Sequence, residues 1–173
     1  EIRVIDLKEK AIYLLKSTRP LLNMVLVLGV IMGLIKSGGL TLVNVIFSSV
    51  FIFFHGFAVF SLNDYFDRDT DQFSSSSYLK GVTPEKEKRD LLLYSAIVSM
   101  IAIVLMGALV SITVLLVSLG VVTLSVLYSV PPFRFKYRPP LDSIVNGLGI
   151  LALFVLGLAL GSESFSVPAE AYW

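Results

Sequence analysis

Between Leu91 and Phe133 the chain runs for 43 residues without one charged side chain. A stretch of that kind tolerates few structures. Inside a bilayer every backbone N–H and C=O must be satisfied by the segment itself, which selects the helix. A single span takes roughly 20 apolar residues, so this run is read as two spans joined by a tight turn near Gly107 to Thr113. Composition agrees: 55% of the 173 residues are hydrophobic, 16% are charged and the mean hydropathy is +0.84, against about 25% charged in soluble domains.

Three further apolar stretches follow the same rule. Pro20 to Ile35 is closed by Lys36-Ser37-Gly38-Gly39, Leu40 to Leu62 carries one His, and Leu141 to Gly161 begins with Asp142 near its first turn. The expected fold class is therefore an all-α, multi-pass transmembrane helical bundle. It is read as a single membrane domain over 1–173, with spans near 20–35, 40–62, 91–109, 112–133 and 141–161. Residues 1–19 space Val4, Leu7, Ala11, Leu14 and Leu15 at helical intervals among Lys and Glu, which suits either an interfacial amphipathic helix or a solvated basic arm. No short apolar segment with a small-residue cleavage site marks a signal peptide. Residue 1 is Glu, and the expectation is that the numbering starts inside a longer protein. The chain lacks Cys, so thiolate metal sites and disulfides are excluded. Nothing in its charge pattern points to nucleic acid.

Lys and Arg favour the cytoplasmic side of a membrane. In a five-span arrangement the N-terminal segment, the 63–90 loop and the segment after span four share one face. Together they hold 13 of the 14 basic residues, leaving Lys36 alone opposite. The expected location is integral to the membrane, with the N-terminus and these loops cytoplasmic.

Directly after the second span comes Asn63-Asp64-Tyr65-Phe66-Asp67-Arg68-Asp69-Thr70-Asp71. If the helix continues at about 100° per residue, Asn63, Asp67 and Asp71 fall within roughly 80° of one another and Asp64 about 20° further round. Clustered carboxylates repel unless a cation sits among them. Mg²⁺ takes hard oxygen ligands and is often shared between one or two carboxylates and a substrate phosphate. The motif is thus either a solvated acidic loop or a site for Mg²⁺ and a lipid diphosphate at the mouth of a membrane cavity.

Asn63-Asp64-x-x-Asp67-x-x-x-Asp71 resembles the first Asp-rich motif of the UbiA superfamily of intramembrane prenyltransferases. Thr18-Arg19-Pro20 before the first span is similar to that family's Arg-Pro, and Tyr128-Ser129-Val130-Pro131-Pro132-Phe133-Arg134-Phe135-Lys136 to its Tyr- and basic-residue segment after the fourth. The resemblance implies a helical bundle that transfers a prenyl group from an allylic diphosphate to a lipophilic acceptor, either an aromatic quinone precursor or a glycerol-phosphate-type lipid. It implies Asn63, Asp64, Asp67 and Asp71 as ligands of Mg²⁺ and diphosphate. Asp64, Asp67, Asp71 and Lys136 would be catalytic, and Arg19, Asn23, Asn63, Tyr128, Arg134 and Lys136 would bind substrate. Two departures stand out. The family carries more spans and a second Asp-rich motif, so this chain is read as its N-terminal portion, inactive alone. The family's Arg-Pro shortly after the first motif is replaced here by Gln72-Phe73-Ser74-Ser75-Ser76-Ser77. A non-catalytic cation-binding or ion-conducting module is the alternative.

Other polar and small residues within the spans have two readings each. His55 either hydrogen-bonds to a neighbouring helix or faces substrate. Asn23 and Asn146 either face a central cavity or bond between helices. Asp142 reads as a cap of the fifth span. Tyr65, Phe66, Phe133, Phe135 and Tyr137 read as interfacial aromatics or substrate contacts. Gly29, Gly33, Gly147 and Gly149 read as sites of close helix packing.

Overall fold

The computed structural model describes residues 7–67 and 89–162. Among them there are helices and turns only. Helix α1 is Leu7–Ser17 and α2 is Pro20–Ser37. Helix α3 spans Leu42–Phe66, with a π-helical turn at Phe57–Ser61. Helix α4 covers Arg89–Val110, α5 Ile112–Ser129 and α6 Leu141–Ser162, with a short 3₁₀ turn at Phe135–Tyr137 between the last two. Five of these, α2 to α6, are long and apolar enough to cross a membrane, and the multi-pass helical bundle expected from the sequence is the fold observed.

Local chemistry sets the turns. Gly38 takes a left-handed backbone, φ 74°, and returns N–H groups to the last carbonyls of α2, as a C-terminal glycine does. Thr41 and Ser111 cap α3 and α5, their hydroxyls accepting from Asn44 N and Val114 N. One residue, Ser111, thus separates α4 from α5. Helix α5 stops at Ser129 rather than reaching 133, because Pro131 and Pro132 bring no N–H to continue it.

Small residues fix the tightest packing. At Gly33 of α2 an added Cβ would meet the Phe154 carbonyl and lie 2.8 Å from Leu158 N, and Gly157 of α6 is held equally close to Val30. Backbones of α2 and α6 therefore touch, as small residues at four-residue spacing permit in membranes. Gly29 makes only ordinary contact, and nothing lies within 4 Å of a Cβ at Gly147 or Gly149. The packing role expected of those two is not what the structure shows. The core gathers Val30, Leu34, Phe51, Ile103, Leu153 and Leu156. Along α2, Leu21, Met24, Leu28, Met32 and Ile35 form an exposed apolar stripe on the opposite side, at helical spacing, as a lipid-facing surface requires. Helix α1 turns Tyr13 and Ser17 inward and leaves Ala11 and Leu15 exposed. Ser17 Oγ meets Ser61 Oγ of α3 at 3.1 Å.

Candidate active site

The acidic motif sits where α3 ends. The helix runs through Asn63, Asp64 and Phe66, and Asp67 caps it, its N–H bonded to Asn63 O. Asp71 lies outside the described residues, as do Arg68, Asp69 and the Ser74 to Ser77 stretch.

Asn63 and Asp67 converge on the segment after α5. Lys136 Nζ donates to Asn63 Oδ1 at 2.8 Å and pairs closely with Asp67 Oδ1. Tyr137 OH donates to the same Asp67 oxygen at 2.9 Å. Arg134 Nη2 stands 3.6 Å from Asp67 Oδ1 and donates to the Phe66 carbonyl. Ser129 Oγ reaches Asn63 Oδ1 at 3.5 Å. Residues separated by some 70 positions are so brought within one ion-pair cluster. Arg134 adopts φ 39° to do this, a left-handed backbone that costs a non-glycine residue about 1–3 kcal/mol.

Asp64 points elsewhere. It is wholly buried and pairs with Arg19 Nη2 at 2.8 Å, while the Arg19 guanidinium also lies over the Phe60 ring. Arg19, too, is left-handed, φ 49°, at the α1–α2 junction. Removing one partner of a buried pair leaves an uncompensated charge. Arg19→Met is therefore expected to lower stability by about 3 kcal/mol, and Asp64→Asn in the same chain to recover most of it. Thermal unfolding in detergent of the two single variants and the double measures this. Equal, additive losses would show that the pair carries no coupling.

Beneath the cluster, α2, α3, α5 and α6 line a mostly apolar, partly open cavity of about 190 Å³. Its polar lining is His55, Ser125, Tyr128 and Asn146. Tyr128 OH donates to Asp142 Oδ1 at 3.0 Å, and Asn146 Nδ2 donates to the same oxygen at 3.2 Å. Asp142 lies inside the first turn of α6 rather than capping it, and its carboxylate anchors two cavity-lining side chains. Its signal in the sequence was Asp142-x-x-x-Asn146, one turn apart on α6. Tyr137, read as an interfacial aromatic, bonds to the motif itself. Gly149 lines the cavity. Asn23 does not join this group. It packs against Gly56 of α3 and lines a separate crevice with Thr18 and Met24.

Whether the residues suit Mg²⁺ is a question about donors. Among the described residues no group of three or more His, Cys, Asp or Glu is gathered. Still, Asn63 Oδ1 and Asp67 Oδ1 already close on one cation, the Lys136 ammonium. Two hard oxygens that converge on a positive charge are a fitting half-site for Mg²⁺.

Comparison with known proteins identifies the family. Residues 23–173 match the model of the UbiA prenyltransferase family. Lycopene elongase/hydratase of Haloarcula japonica is 37% identical over 121 residues, which is 65% of this chain and 37% of that protein. The chain thus spans well under half of that relative's length. No solved structure matches. With the match running from α2 through the motif, the basic segment and α6, the chain belongs to the UbiA prenyltransferase family.

Proposed function

We propose that the protein transfers a prenyl group from an allylic prenyl diphosphate to a lipophilic acceptor, with Mg²⁺ and the diphosphate held at the acidic rim and the isoprenoid chain in the cavity below. One observation carries this reading: Lys136, Arg134 and Tyr137 meet Asn63 and Asp67 directly above an apolar cavity. On the charge distribution among the loops, the rim is cytoplasmic. By the family motif, Asp71 completes the ligand set with Asn63 and Asp67, while Asp64, buried against Arg19, braces the rim. Candidate acceptors are, by the family resemblance, an aromatic quinone precursor or a glycerol-phosphate lipid and, on the name of the relative, a polyene such as lycopene.

Breaking the allylic C–O bond sends its electron pair to the diphosphate, so negative charge grows at the rim. Bound Mg²⁺ supplies positive charge to that leaving group. Lys136 and Arg134 exchange their ties to Asp67 and the Phe66 carbonyl for phosphate oxygens, where preorganised cations act most strongly. Arg19 holds Asp64 and the start of α2 in place. Val59, Phe60, Val121 and Leu124 keep water from the allylic cation, which it would otherwise capture. The second acidic half expected of the family would come from sequence beyond these spans, and residues 1–173 alone are expected to be inert.

The whole protein in detergent tests the reading. Geranylgeranyl thiolodiphosphate at about 100 times its Kd, with Mg²⁺, contributes about 2.7 kcal/mol, a rise in Tm of a few degrees. Without Mg²⁺ the rise should vanish. A cation-conducting module predicts the reverse, a response to metal with none to the lipid. It would also place charges along the spans, whereas the described spans carry theirs at their ends and His55 alone between.

A further inference from the structure

Among the described residues, His55 is the one basic nitrogen group lining the cavity, and no hydrogen-bond partner accounts for it. The residue is 8% exposed, its Nδ1 is buried without a hydrogen-bond partner, and among the described residues no hydrogen bond reaches the ring. The interhelical bond that usually explains a polar side chain in a span is missing. The other polar groups of the cavity are engaged: Ser125 Oγ with Val121 O, Tyr128 and Asn146 with Asp142.

The π-helical turn gives this side chain its bearing. His55 precedes Asn63 by eight residues, which at 100° each would leave the two about 80° apart. The turn at Phe57–Ser61 lies between them and absorbs one residue, as π-turns do. The effective separation becomes seven, and the two side chains fall within about 20° of a common face. His55 then lies about 10.5 Å below Asn63 by helix rise. A diphosphate at the rim and the allylic carbon beneath it fill most of that interval.

We infer that His55 is the base that receives the acceptor's proton, an assignment that rests on the prenyl-transfer reading. The allylic C–O bond breaks and its pair leaves with diphosphate. A π or lone pair of the acceptor closes on the allylic carbon, and the acceptor becomes cationic. It returns to neutrality by losing a proton, whose bonding pair stays on the acceptor. A neutral imidazole holds one lone pair for that proton, becomes imidazolium and passes the proton to released diphosphate or to water. Among the described residues, Asp64 and Asp67 at the rim pair with Arg19, Lys136 and Tyr137, and Asp142 with Tyr128 and Asn146.

Histidine to Asn and to Gln, H55N and H55Q, in the whole protein separate this role from a structural one. The substrates are dimethylallyl and geranylgeranyl diphosphate with lycopene or a hydroxybenzoate as acceptor. Both variants should lose about 100-fold in kcat, the contribution of a placed general base. KM for the diphosphate and affinity for geranylgeranyl thiolodiphosphate with Mg²⁺ should stay within about threefold, and the binding also reports folding. Either variant keeping kcat within tenfold of wild type overturns the assignment, as does a loss carried by thiolodiphosphate binding. A wild-type protein that binds no thiolodiphosphate fails at the earlier step instead, and removes the prenyl-transfer reading itself.

Discussion

Asp67→Asn is expected to lower prenyl transfer about 10³-fold while the helices stay assembled. The carboxylate accepts from Lys136 and Tyr137 on one oxygen and has Arg134 at 3.6 Å. The amide keeps the shape and one acceptor oxygen but removes the charge for which two cations are arranged. Losing one electrostatic partner of the reacting centre costs about 10² to 10³ in turnover, and losing a metal ligand adds to that. Folding suffers too, because Lys136, itself nearly buried, is left facing a neutral group. That cost should be relieved by a second change, Lys136→Met, which removes the buried charge that Asn at position 67 leaves unpaired. The double variant should unfold near the wild-type temperature and still turn over at the floor. Single-variant turnover within tenfold of wild type would remove Asp67 from the site.

Gly33→Leu should leave little folded protein. The position has no room: the Phe154 carbonyl, Leu158 N and Gly157 Cα already crowd an added Cβ. All three are backbone atoms, so no rotamer change relieves the overlap. Overpacking in adaptable cores costs about 1–3 kcal/mol. Here α2 and α6 must separate along their length, and a loss above 4 kcal/mol is expected. Gly33→Ala should lie between. Gly120→Ala is the control, since nothing stands within 4 Å of its Cβ, and it should be neutral or stabilising by up to about 1 kcal/mol. Fluorescence-detected size exclusion and thermal unfolding in detergent rank the four proteins. A Gly33→Leu variant as stable as wild type would mean that the close α2–α6 crossing is dispensable.

Much of this architecture is legible in the residues, because lipid leaves so few alternatives. Long uncharged runs announce helices, and Ser111 lies inside the turn region that the run from Leu91 demanded. Asn63, Asp67, Arg134 and Lys136 stand out through the resemblance of their motifs to those of the family, and the structure brings these four together. What escaped the sequence was phase and partnership. A wheel drawn at 100° per residue has no place for the π-turn at Phe57–Ser61, which brings His55 toward the face of Asn63. Asp64 shared a face with Asn63 on that wheel, yet the approach of α1 gives it to Arg19. The tie between Tyr128 and Asp142 depends on how α5 and α6 cross, which no local pattern encodes. Asn23 failed for the same reason: its face is decided by Gly56 across the interface.

The two left-handed arginines have one more consequence. Chains usually bend in that sense at glycine, which offers no side chain. Here Arg19 and Arg134 each make such a bend and also deliver a guanidinium to an acid. Path and polarity are thereby welded to the same two residues. Glycine at either would ease the route and discard the cation, while lysine would keep a positive end without the forked reach. Evolution or engineering that retunes one property here must disturb the other.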